Sequence, residues 1–176
     1  MLFKETPLGG AFVIDLEEHR DDRGSFARTF CRREFEAHGL ETAVVQTNLS
    51  VSQRAGTVRG MHYQVHPATE TKYVRCTRGA IYDVIIDLRP DSPTYAQHFG
   101  VELSASNRRG LFVPRMFAHG FQTLEDESEV TYIVSEFHAP SAERGVRHDD
   151  PAFEISWPKA VTVISDKDAA WPVFAP

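Results

Sequence analysis

The sequence predicts an all-β fold, a jelly-roll sandwich or barrel with little helix. Short β-prone stretches separated by turn signals run along almost the whole chain, and strands at this spacing are typical of sandwiches and barrels. Only residues 32–38 form a clear helical pattern, which ends at Gly39. At 176 residues the chain predicts a single domain, 1–176, that can bury a core without disulfides or a metal.

In the first half of the chain, apolar and β-branched runs predict four strands. The first follows Gly9-Gly10, the second follows the turn at 21–24, and the last two lie on either side of Gly56. The predicted helix lies between the second and third strands. These four strands are placed at residues 11–16, 25–30, 44–51 and 57–63.

In the second half, Gly- and Pro-containing turns separate seven more strands. The clearest turn signals are Arg78-Gly79, the segment 89–93, the segment 108–110 and the acidic segment 125–128. Residues 104–108 predict one helical turn. The strands are placed at residues 72–76, 80–87, 99–103, 111–113, 120–124, 129–137 and 161–164.

Two carboxylates interrupt the otherwise apolar strand predicted at 80–87. Asp83 and Asp87 have odd numbers and would share a face with Ile81 and Ile85. A carboxylate among core residues needs polar partners. Each Asp therefore either lines a cavity or marks a strand end. The strand end is favoured for Asp87, and both interpretations stay open for Asp83.

Composition excludes several classes of function. The chain has 25 acidic and 19 basic residues, a net charge of -6, which argues against non-specific nucleic-acid binding. No apolar run reaches the ~20 residues that span a membrane, and the first residues lack the features of a signal peptide. The two cysteines, Cys31 and Cys76, are expected to be free thiols in a reducing compartment. We therefore expect a cytoplasmic protein that binds neither membrane nor nucleic acid.

The segment 56–64 carries the strongest chemical signal. Arg59 and His62 lie three residues apart, so on a regular strand they would point to opposite faces, but Gly60 between them permits a bulge that can re-aim a side chain. Further polar groups occur in other predicted strands or near the C-terminus. They are Gln46, Asn48, Lys72, His119, Tyr132 and Asp168.

One hypothesis for these residues is a metal site of the kind found in cupin jelly rolls, where closely spaced histidines bind the metal. Here His62 is followed by Gln64 where the second His of such a pair would fall, and the possible ligands that remain are His66, Glu70 and His119. Because this pattern is incomplete, no bound metal is expected.

The metal-free hypothesis uses the same residues as acid–base groups. A His held by a carboxylate is a competent base near neutral pH. Lys72 can balance charge on an oxygen, and Tyr132 can deliver a proton from another direction. This set suits proton abstraction beside a carbonyl and epimerisation through an enolate, without a cofactor. Other assignments remain open, because His62 could be structural and Tyr132 could be a core residue on the face of Val130 and Val134.

Taken together, the motifs resemble the dTDP-4-dehydrorhamnose 3,5-epimerase family of nucleotide-sugar epimerases, and the resemblance extends from about residue 10 to residue 172. Their order and spacing are more specific than any one of them. The matching segments are Asp22-Arg23-Gly24, residues 45–50, residues 58–64, residues 72–76, residues 83–89, residues 91–94, residues 117–121 and residues 165–170.

The resemblance implies a cupin-type jelly roll without cofactor or metal, acting as a homodimer that exchanges N-terminal strands. Its substrate would be a nucleotide-diphospho 4-keto-6-deoxy sugar, most simply dTDP-4-dehydro-6-deoxy-D-glucose, converted to dTDP-4-dehydro-L-rhamnose. His62 matches the family's base and Asp168 the carboxylate that pairs with it. Tyr132 matches the acid on the opposite face, and Lys72 the cation beside the C4 carbonyl.

The resemblance also implies a set of substrate contacts. Arg59, Lys167 and, from the neighbouring subunit, Arg23 match positions that contact the diphosphate, where Arg offers two parallel donors. The further matched contacts are Gln46, Asn48, His119 and Glu143.

At four positions the sequence departs from the common pattern. Arg28 stands where many members have an acid, Thr47 where an Asp is frequent, and His138 where a Tyr is common; all three are kept as substrate-binding residues. Trp171 replaces a small residue near the C-terminus. Many members continue further beyond this point, so the usual C-terminal closing segment would be missing.

These departures leave alternatives open: an epimerase acting at C3 only, or one acting on a different nucleotide sugar. Two hypotheses from other classes also remain, a metal-dependent cupin isomerase or dioxygenase and a non-catalytic protein that binds sugar nucleotides.

Overall fold

A computed structural model describes residues 1–175, which form strands with two short helices. The strands are β1 (Leu2–Glu5), β2 (Phe12–Asp15), β3 (Glu18–Asp21), β4 (Gly24–Ala27), β5 (Gln46–Ser52), β6 (Val58–Gln64), β7 (Lys72–Arg78), β8 (Ala80–Asp87), β9 (His98–Ser104), β10 (Gly110–Val113), β11 (Phe117–Thr123), β12 (Ser128–Val134) and β13 (Glu143–Gly145). The helices are α1 (Arg32–Ala37) and α2 (Asp166–Ala169). The predicted all-β class with little helix is confirmed.

The strands form two large antiparallel sheets and one separate hairpin. One sheet has six strands in the order β1-β2-β10-β7-β12-β5, and the other has five in the order β13-β6-β11-β8-β9. Strands β3 and β4 pair only with each other and form the hairpin. Few neighbours in either sheet are consecutive in sequence, so the chain crosses repeatedly between the sheets, as in a jelly roll.

The main core lies between the two sheets. Val74, Leu111 and Val130 contribute from the six-stranded sheet, while Ile81 and Ile85 contribute from β8 of the five-stranded sheet. All five are at most 1% exposed. Each fully buried aliphatic side chain contributes roughly 1.5–3 kcal/mol by leaving water, so this layer fixes the spacing of the sheets that carry the polar site.

The outer faces of both sheets are also covered. Helix α1 packs Phe35 against Tyr73 and Phe112 on the six-stranded sheet. On the other side, the chain after β13 covers the even-numbered face of β8, where Val84 and Ile86 pack. Because β8 is covered on both faces, it shows the continuous apolar pattern of a doubly buried strand rather than simple alternation.

The two carboxylates of β8 have different surroundings. Asp87 ends the strand and accepts hydrogen bonds from Arg89, Ser92 and Thr94, so the expected strand end is confirmed. Burial raises the pKa of Asp87, but these donors outweigh it and lower the pKa to about 2. Asp83 points between the sheets, as described with the site below.

The structure differs from the predicted elements mainly where strands are exposed or very short. Strands β1, β3 and β13 and helix α2 were not predicted, because β3 and β13 are polar and all four elements have at most four residues. The predicted strand at 161–164 is wrong: Val163 makes only one isolated bridge, to Thr57, before the chain turns into α2. The predicted helical turn at 104–108 is present, with Arg108 N–H donating to Ser104 O at 2.9 Å.

No helix within residues 1–175 is both long enough and apolar enough to cross a membrane.

Candidate active site

A bulge in β6 brings Arg59 and His62 to the same face. His62 pairs with His119 on β11, but Arg59 pairs with Phe121, so three residues of β6 are matched by two of β11. His119 and Phe121 share a face because they are two apart, and paired residues share a face as well. The extra residue falls at Gly60, whose φ is +126°, and the predicted re-aiming by a bulge is observed.

The imidazole of His62 is held by the carboxylate of Asp168. Nε2 of His62 lies 2.7 Å from Oδ1 of Asp168, and the other carboxylate oxygen accepts the backbone N–H of Gly60 at 3.2 Å. The Asp168 side chain is 8% exposed and that of His62 33% exposed, so the imidazole faces open space while its partner is enclosed. This arrangement fixes the ring in one orientation, as a general base requires.

Helix α2 places Asp168 beneath His62. The Ser165 hydroxyl accepts the backbone N–H of Asp168 at 3.1 Å and caps this single helical turn. Burial raises the pKa of Asp168, but hydrogen bonds from His62 and Gly60 outweigh it, so the pKa lies below its ordinary value of 3.8. Asp168 therefore stays ionised and can stabilise a charged imidazole.

Lys72 and Tyr132 face the same space from the six-stranded sheet. Tyr132 on β12 pairs with Val74 on β7, which puts it on the face that carries Lys72. The ammonium of Lys72 lies 3.1 Å from Oε1 of Glu70 and 3.5 Å from the carbonyl oxygen of His62. Burial, followed by the charge of Glu70, raises the pKa of the Tyr132 hydroxyl, so Tyr132 carries its proton well above neutral pH.

His119 forms a second, more deeply buried pair with Asp83. Its Nε2 lies 2.7 Å from Oδ1 of Asp83, and the two side chains are 9% and 0% exposed. No group within residues 1–175 forms a hydrogen bond with the other oxygen of Asp83. The question left open for Asp83 is thus resolved by position: it lies inside the fold and supports a histidine that lines the cavity.

Two adjoining cavities meet at three of these residues. The first has a volume of about 380 Å³ and is lined by Arg59, His62, Lys72, His119, Phe121, Tyr132 and Asp168, among others. The second has a volume of about 440 Å³ and is lined by polar groups, including Gln46, Asn48, Glu70, His138 and Glu143. His62, Lys72 and Tyr132 border both. Together the cavities have room for a small ring and a polar extension.

Charged side chains at the rim of the second cavity form a connected group. Glu143 lies 2.6 Å from Nζ of Lys167 through one oxygen and 3.2 Å from Nε2 of His138 through the other. Burial raises the pKa of Glu143, but these two partners outweigh it and the net pKa is lowered. Lys167, predicted as a phosphate contact, is 57% exposed and lies at this rim rather than deep in a cavity.

Three predicted binding residues lie away from both cavities within one chain. Thr47 is on the outer face of β5, because strand alternation puts Gln46 and Asn48 inward and Thr47 outward. Arg23 is at the tip of the β3–β4 hairpin, where it pairs with Asp21. Arg28 pairs with Glu34 at 2.8 Å. A single chain therefore brings together the other predicted residues but not these three.

Two residues of the site were not predicted as functional. Glu70 was considered only as a metal ligand, whereas in the structure it pairs with Lys72. Asp83 was left undecided, whereas it pairs with His119. The sequence signal for Asp83 was a carboxylate among the apolar residues of β8. The signal for Glu70 was its i, i+2 spacing to Lys72, because two extended residues at that spacing point to the same side.

The donors that a metal site would need have other partners. His62 pairs with Asp168, Glu70 with Lys72 and His119 with Asp83. Within residues 1–175, no group of three or more His, Cys, Asp and Glu side chains is arranged to hold a metal ion.

Comparison with known proteins now identifies the family. The family model described as dTDP-4-dehydrorhamnose 3,5-epimerase matches residues 5–176. The chain belongs to the dTDP-4-dehydrorhamnose 3,5-epimerase family. It is therefore an isomerase-class enzyme, and the resemblance inferred from the motifs is confirmed.

Individual relatives cover nearly the whole chain. A dTDP-4-dehydrorhamnose 3,5-epimerase from Methanothermobacter thermautotrophicus is 44% identical over 96% of this chain and 92% of its own length. A dTDP-4-dehydrorhamnose 3-epimerase from Streptomyces niveus is 39% identical over 92% of this chain and 79% of its own. A crystal structure of the Bacillus anthracis 3,5-epimerase with TDP and pyrophosphate bound has a TM-score of 0.95 and 41% identity, covering 98% and 99% of the two chains.

Proposed function

We propose that this enzyme epimerises dTDP-4-dehydro-6-deoxy-D-glucose at C3 and C5 to give dTDP-4-dehydro-L-rhamnose. Membership of the family supports the reaction, and one observation in the structure supports the mechanism. His62 and Tyr132 border the same cavities but come from opposite sheets, β6 of the five-stranded sheet and β12 of the six-stranded sheet. A sugar ring between the sheets would meet one group on each face.

The chemistry follows from the C4 ketone. His62, held by Asp168, removes the proton from C3, and the electron pair moves through the new C=C bond to place negative charge on O4. Lys72 lies where a cation can balance that charge, which stabilises the enolate more than the neutral ketone. Tyr132 then protonates the carbon from the other face, so its configuration inverts. The same sequence at C5 completes the second inversion.

Polar groups at the cavity openings suit the nucleotide diphosphate. Arg59 borders the first cavity, and its Nε and Nη2 donate to Ser52 Oγ and Val51 O at 3.0 and 3.1 Å, which orients the guanidinium. Gln46 and Asn48 present amides in the second cavity, and Lys167 adds a cation at its rim. A planar guanidinium binds phosphate oxygens through parallel donors. We assign Arg59 and Lys167 to the diphosphate.

We infer that the active unit is a homodimer in which the N-terminal strands of one copy reach the cavity of the other. The β3–β4 hairpin pairs with neither large sheet, and its Phe26 is 72% exposed. Strand β5 forms an edge of the six-stranded sheet and exposes 61% of Leu49. A second copy would cover these surfaces, and an exchanged hairpin would bring Arg23 and Arg28 to the nucleotide.

We further propose that the enzyme acts in the cytoplasm. Cys31 and Cys76 are both free, and unpaired thiols are usual in a reducing compartment.

Epimerisation at C3 only is the second candidate, and one observation favours it. His138 occupies a position where the resemblance implies a Tyr, and it borders the second cavity beside Tyr132. The Streptomyces niveus 3-epimerase is 39% identical, and two of the 3,5-epimerase relatives are 36% and 44% identical. Overall identity therefore does not discriminate between the two reactions.

Deuterium exchange distinguishes these candidates in one experiment. The enzyme is incubated with dTDP-4-dehydro-6-deoxy-D-glucose in deuterated water, and NMR follows deuterium at each carbon. Deuterium at C3 and C5 with inversion at both supports the proposal, and deuterium at C3 alone supports the second candidate. Exchange at neither carbon, in a preparation that binds the nucleotide sugar, would instead support a non-catalytic binding protein. His62→Ala is the matched control and should lose roughly 10²–10⁴-fold in exchange rate.

A further inference from the structure

Glu70 is a largely buried carboxylate that lies beside the catalytic groups and has no role in the proposed mechanism. It lies two residues before Lys72, the first residue of β7, and its side chain is 11% exposed. The backbone there is fixed to the neighbouring strand, because Thr71 N–H donates to Ser135 Oγ at 2.8 Å and Ser135 N–H donates to Thr71 O at 3.2 Å. Glu70 borders the second cavity together with His62, Lys72 and Tyr132.

Both oxygens of Glu70 have a partner. Oε1 lies 3.1 Å from the ammonium of Lys72, and Oε2 accepts from Nε2 of Gln64 at 3.3 Å. Gln64 is 3% exposed and is itself fixed, because its Oε1 accepts Ala139 N–H at 2.6 Å and its Nε2 lies 2.9 Å from Ala68 O and 3.1 Å from Phe137 O. An amide nitrogen has two hydrogens, and these two acceptors are closer than Glu70, so the pairing with Lys72 is the main contact that holds the carboxylate. Such a largely buried charge is tolerated because it is paired.

The charge of Glu70 also acts on Tyr132. Burial is the main cause of the raised pKa of Tyr132, and the negative charge of Glu70 adds to it, while Arg59 acts in the opposite direction. The other titratable groups that border this cavity are His62, Tyr63, Lys72, His138 and Glu143, and the first cavity, which Tyr132 also borders, adds Arg59, His119 and Asp168. Of the two carboxylates that border this cavity, Glu70 is the one whose charge raises the pKa of Tyr132.

We propose that Glu70 is a positioning residue that serves two catalytic groups at once: it holds the ammonium of Lys72 at the cavity wall and places a negative charge in the cavity that Tyr132 borders. The role in turnover rests on the proposed epimerase reaction, because that reaction needs a cation at O4 and a proton on the opposite face. The electrostatic link between Glu70 and Tyr132 is a property of the protein itself and can be measured without substrate.

The test compares Glu70→Gln with wild type by NMR of protein labelled at the tyrosine ζ-carbon. Tyr132→Phe assigns the resonance, and Glu102→Gln, which removes an exposed carboxylate on β9, is the charge-matched control. We expect the Tyr132 titration to move to lower pH by about half a unit or more in Glu70→Gln and to stay in place in Glu102→Gln. An unchanged Tyr132 titration in Glu70→Gln would overturn the proposal.

Kinetics test the second half of the role. In Glu70→Gln, the alkaline limb of the kcat/KM profile should move to lower pH together with the NMR titration, and kcat should fall roughly 10-fold with little change in KM. A fall in kcat with an unmoved alkaline limb would indicate a merely structural role and would count against the proposal.

Glu70→Asp keeps the charge but shortens the side chain, so it provides a variant if the amide disrupts folding. It should retain the Tyr132 titration near its wild-type position yet lose kcat, because the ammonium of Lys72 is no longer held at 3.1 Å. Full kcat in Glu70→Asp would overturn the positioning of Lys72. If wild type shows no deuterium exchange, the proposed reaction fails while the NMR comparison still decides the link to Tyr132.

Discussion

His62 Nε2 and Asp168 Oδ1 lie 2.7 Å apart although 106 residues separate them in the chain. The contact joins a strand in the middle of the sequence to a helical turn near its end, and the second oxygen of Asp168 binds the backbone at Gly60. One carboxylate therefore holds both the base and the bulge that aims it. This geometry leads to the first prediction.

Asp168→Asn should lower kcat/KM by about 10²-fold or more, because an amide at this position can stabilise the wrong tautomer of His62 and cannot balance a charged imidazole. The measurement is the initial rate of deuterium incorporation at C3. Asp166→Asn removes a neighbouring exposed carboxylate of α2 and is the matched control. Equal rates in Asp168→Asn and wild type would contradict the assigned role.

The same variant has a predicted pH signature in stability. The pKa of Asp168 is lowered in the folded protein, so its contribution to the free energy of unfolding is present above the ordinary value of 3.8 and is lost as pH falls through the folded-state pKa. Urea unfolding should therefore show Asp168→Asn to be less stable than wild type at pH 7, with a smaller gap at pH 3. A difference in the free energy of unfolding that is larger at pH 3 than at pH 7 would contradict the predicted direction of this effect.

Tyr132→Phe should separate exchange from inversion. His62 can still remove a proton and return a deuteron to the same face, but the proton donor on the other face is lost. We expect deuterium in recovered substrate of unchanged configuration, with inversion reduced by roughly 10²-fold or more. Proton NMR of the sugar ring measures both the deuterium content and the configuration of each carbon. Inversion at the wild-type rate would remove Tyr132 from the mechanism.

Mixed dimers can test whether Arg23 acts on the partner subunit. Arg23→Glu and His62→Ala would each be inactive alone, but a mixed dimer would contain one site with a normal His62 and a normal Arg23. Random mixing of equal amounts should restore about a quarter of wild-type activity, because half of the dimers are mixed and each has one intact site. No recovery after verified subunit exchange would place Arg23 outside the partner's site.

Trp171 and Gly145 should be energetically coupled. A Cβ at position 145 would overlap the Trp171 indole, and the centroid of that ring lies 6.2 Å from the centroid of the His62 imidazole. Gly145→Ala should cost roughly 1–3 kcal/mol of stability by overpacking. Adding Trp171→Ala should recover part of the cost, a coupling that a double-mutant cycle measures by urea unfolding. Strictly additive effects would mean that the indole does not cause the overlap.

The sequence patterns predicted most of the strands that contribute buried apolar residues and missed short elements that contribute few of them. The pattern of β8 was clear because Ile81, Val84 and Ile86 are fully buried. The hairpin strand β3 has four polar residues and gives no periodic signal. Helix α2 is only one turn long, and its Ser165 cap was recognisable only after the fold was known.

The candidate site, like the fold, could be predicted from the sequence only in part. Local reasoning proposed that Gly60 could re-aim Arg59 and His62, and the register of β6 against β11 agrees. The pairing of His119 with Asp83 depends on the alignment of β11 with β8, and long-range register cannot be read from a single sequence. The residues alone offered the roles of Tyr132 and Lys72 as one assignment among several, since alternation also allowed a core tyrosine, and the family resemblance selected that assignment.

The bulge at Gly60 makes the active site depend on the backbone conformation of β6 as well as on the chemistry of its side chains. Arg59 and His62 are three residues apart, so regular pairing of β6 with β11 at the same strand length would turn them to opposite sides of the sheet. The imidazole could then no longer face both Asp168 and the cavity. A protein that lost the bulge could thus still fold and yet lack catalysis, although every catalytic side chain was present.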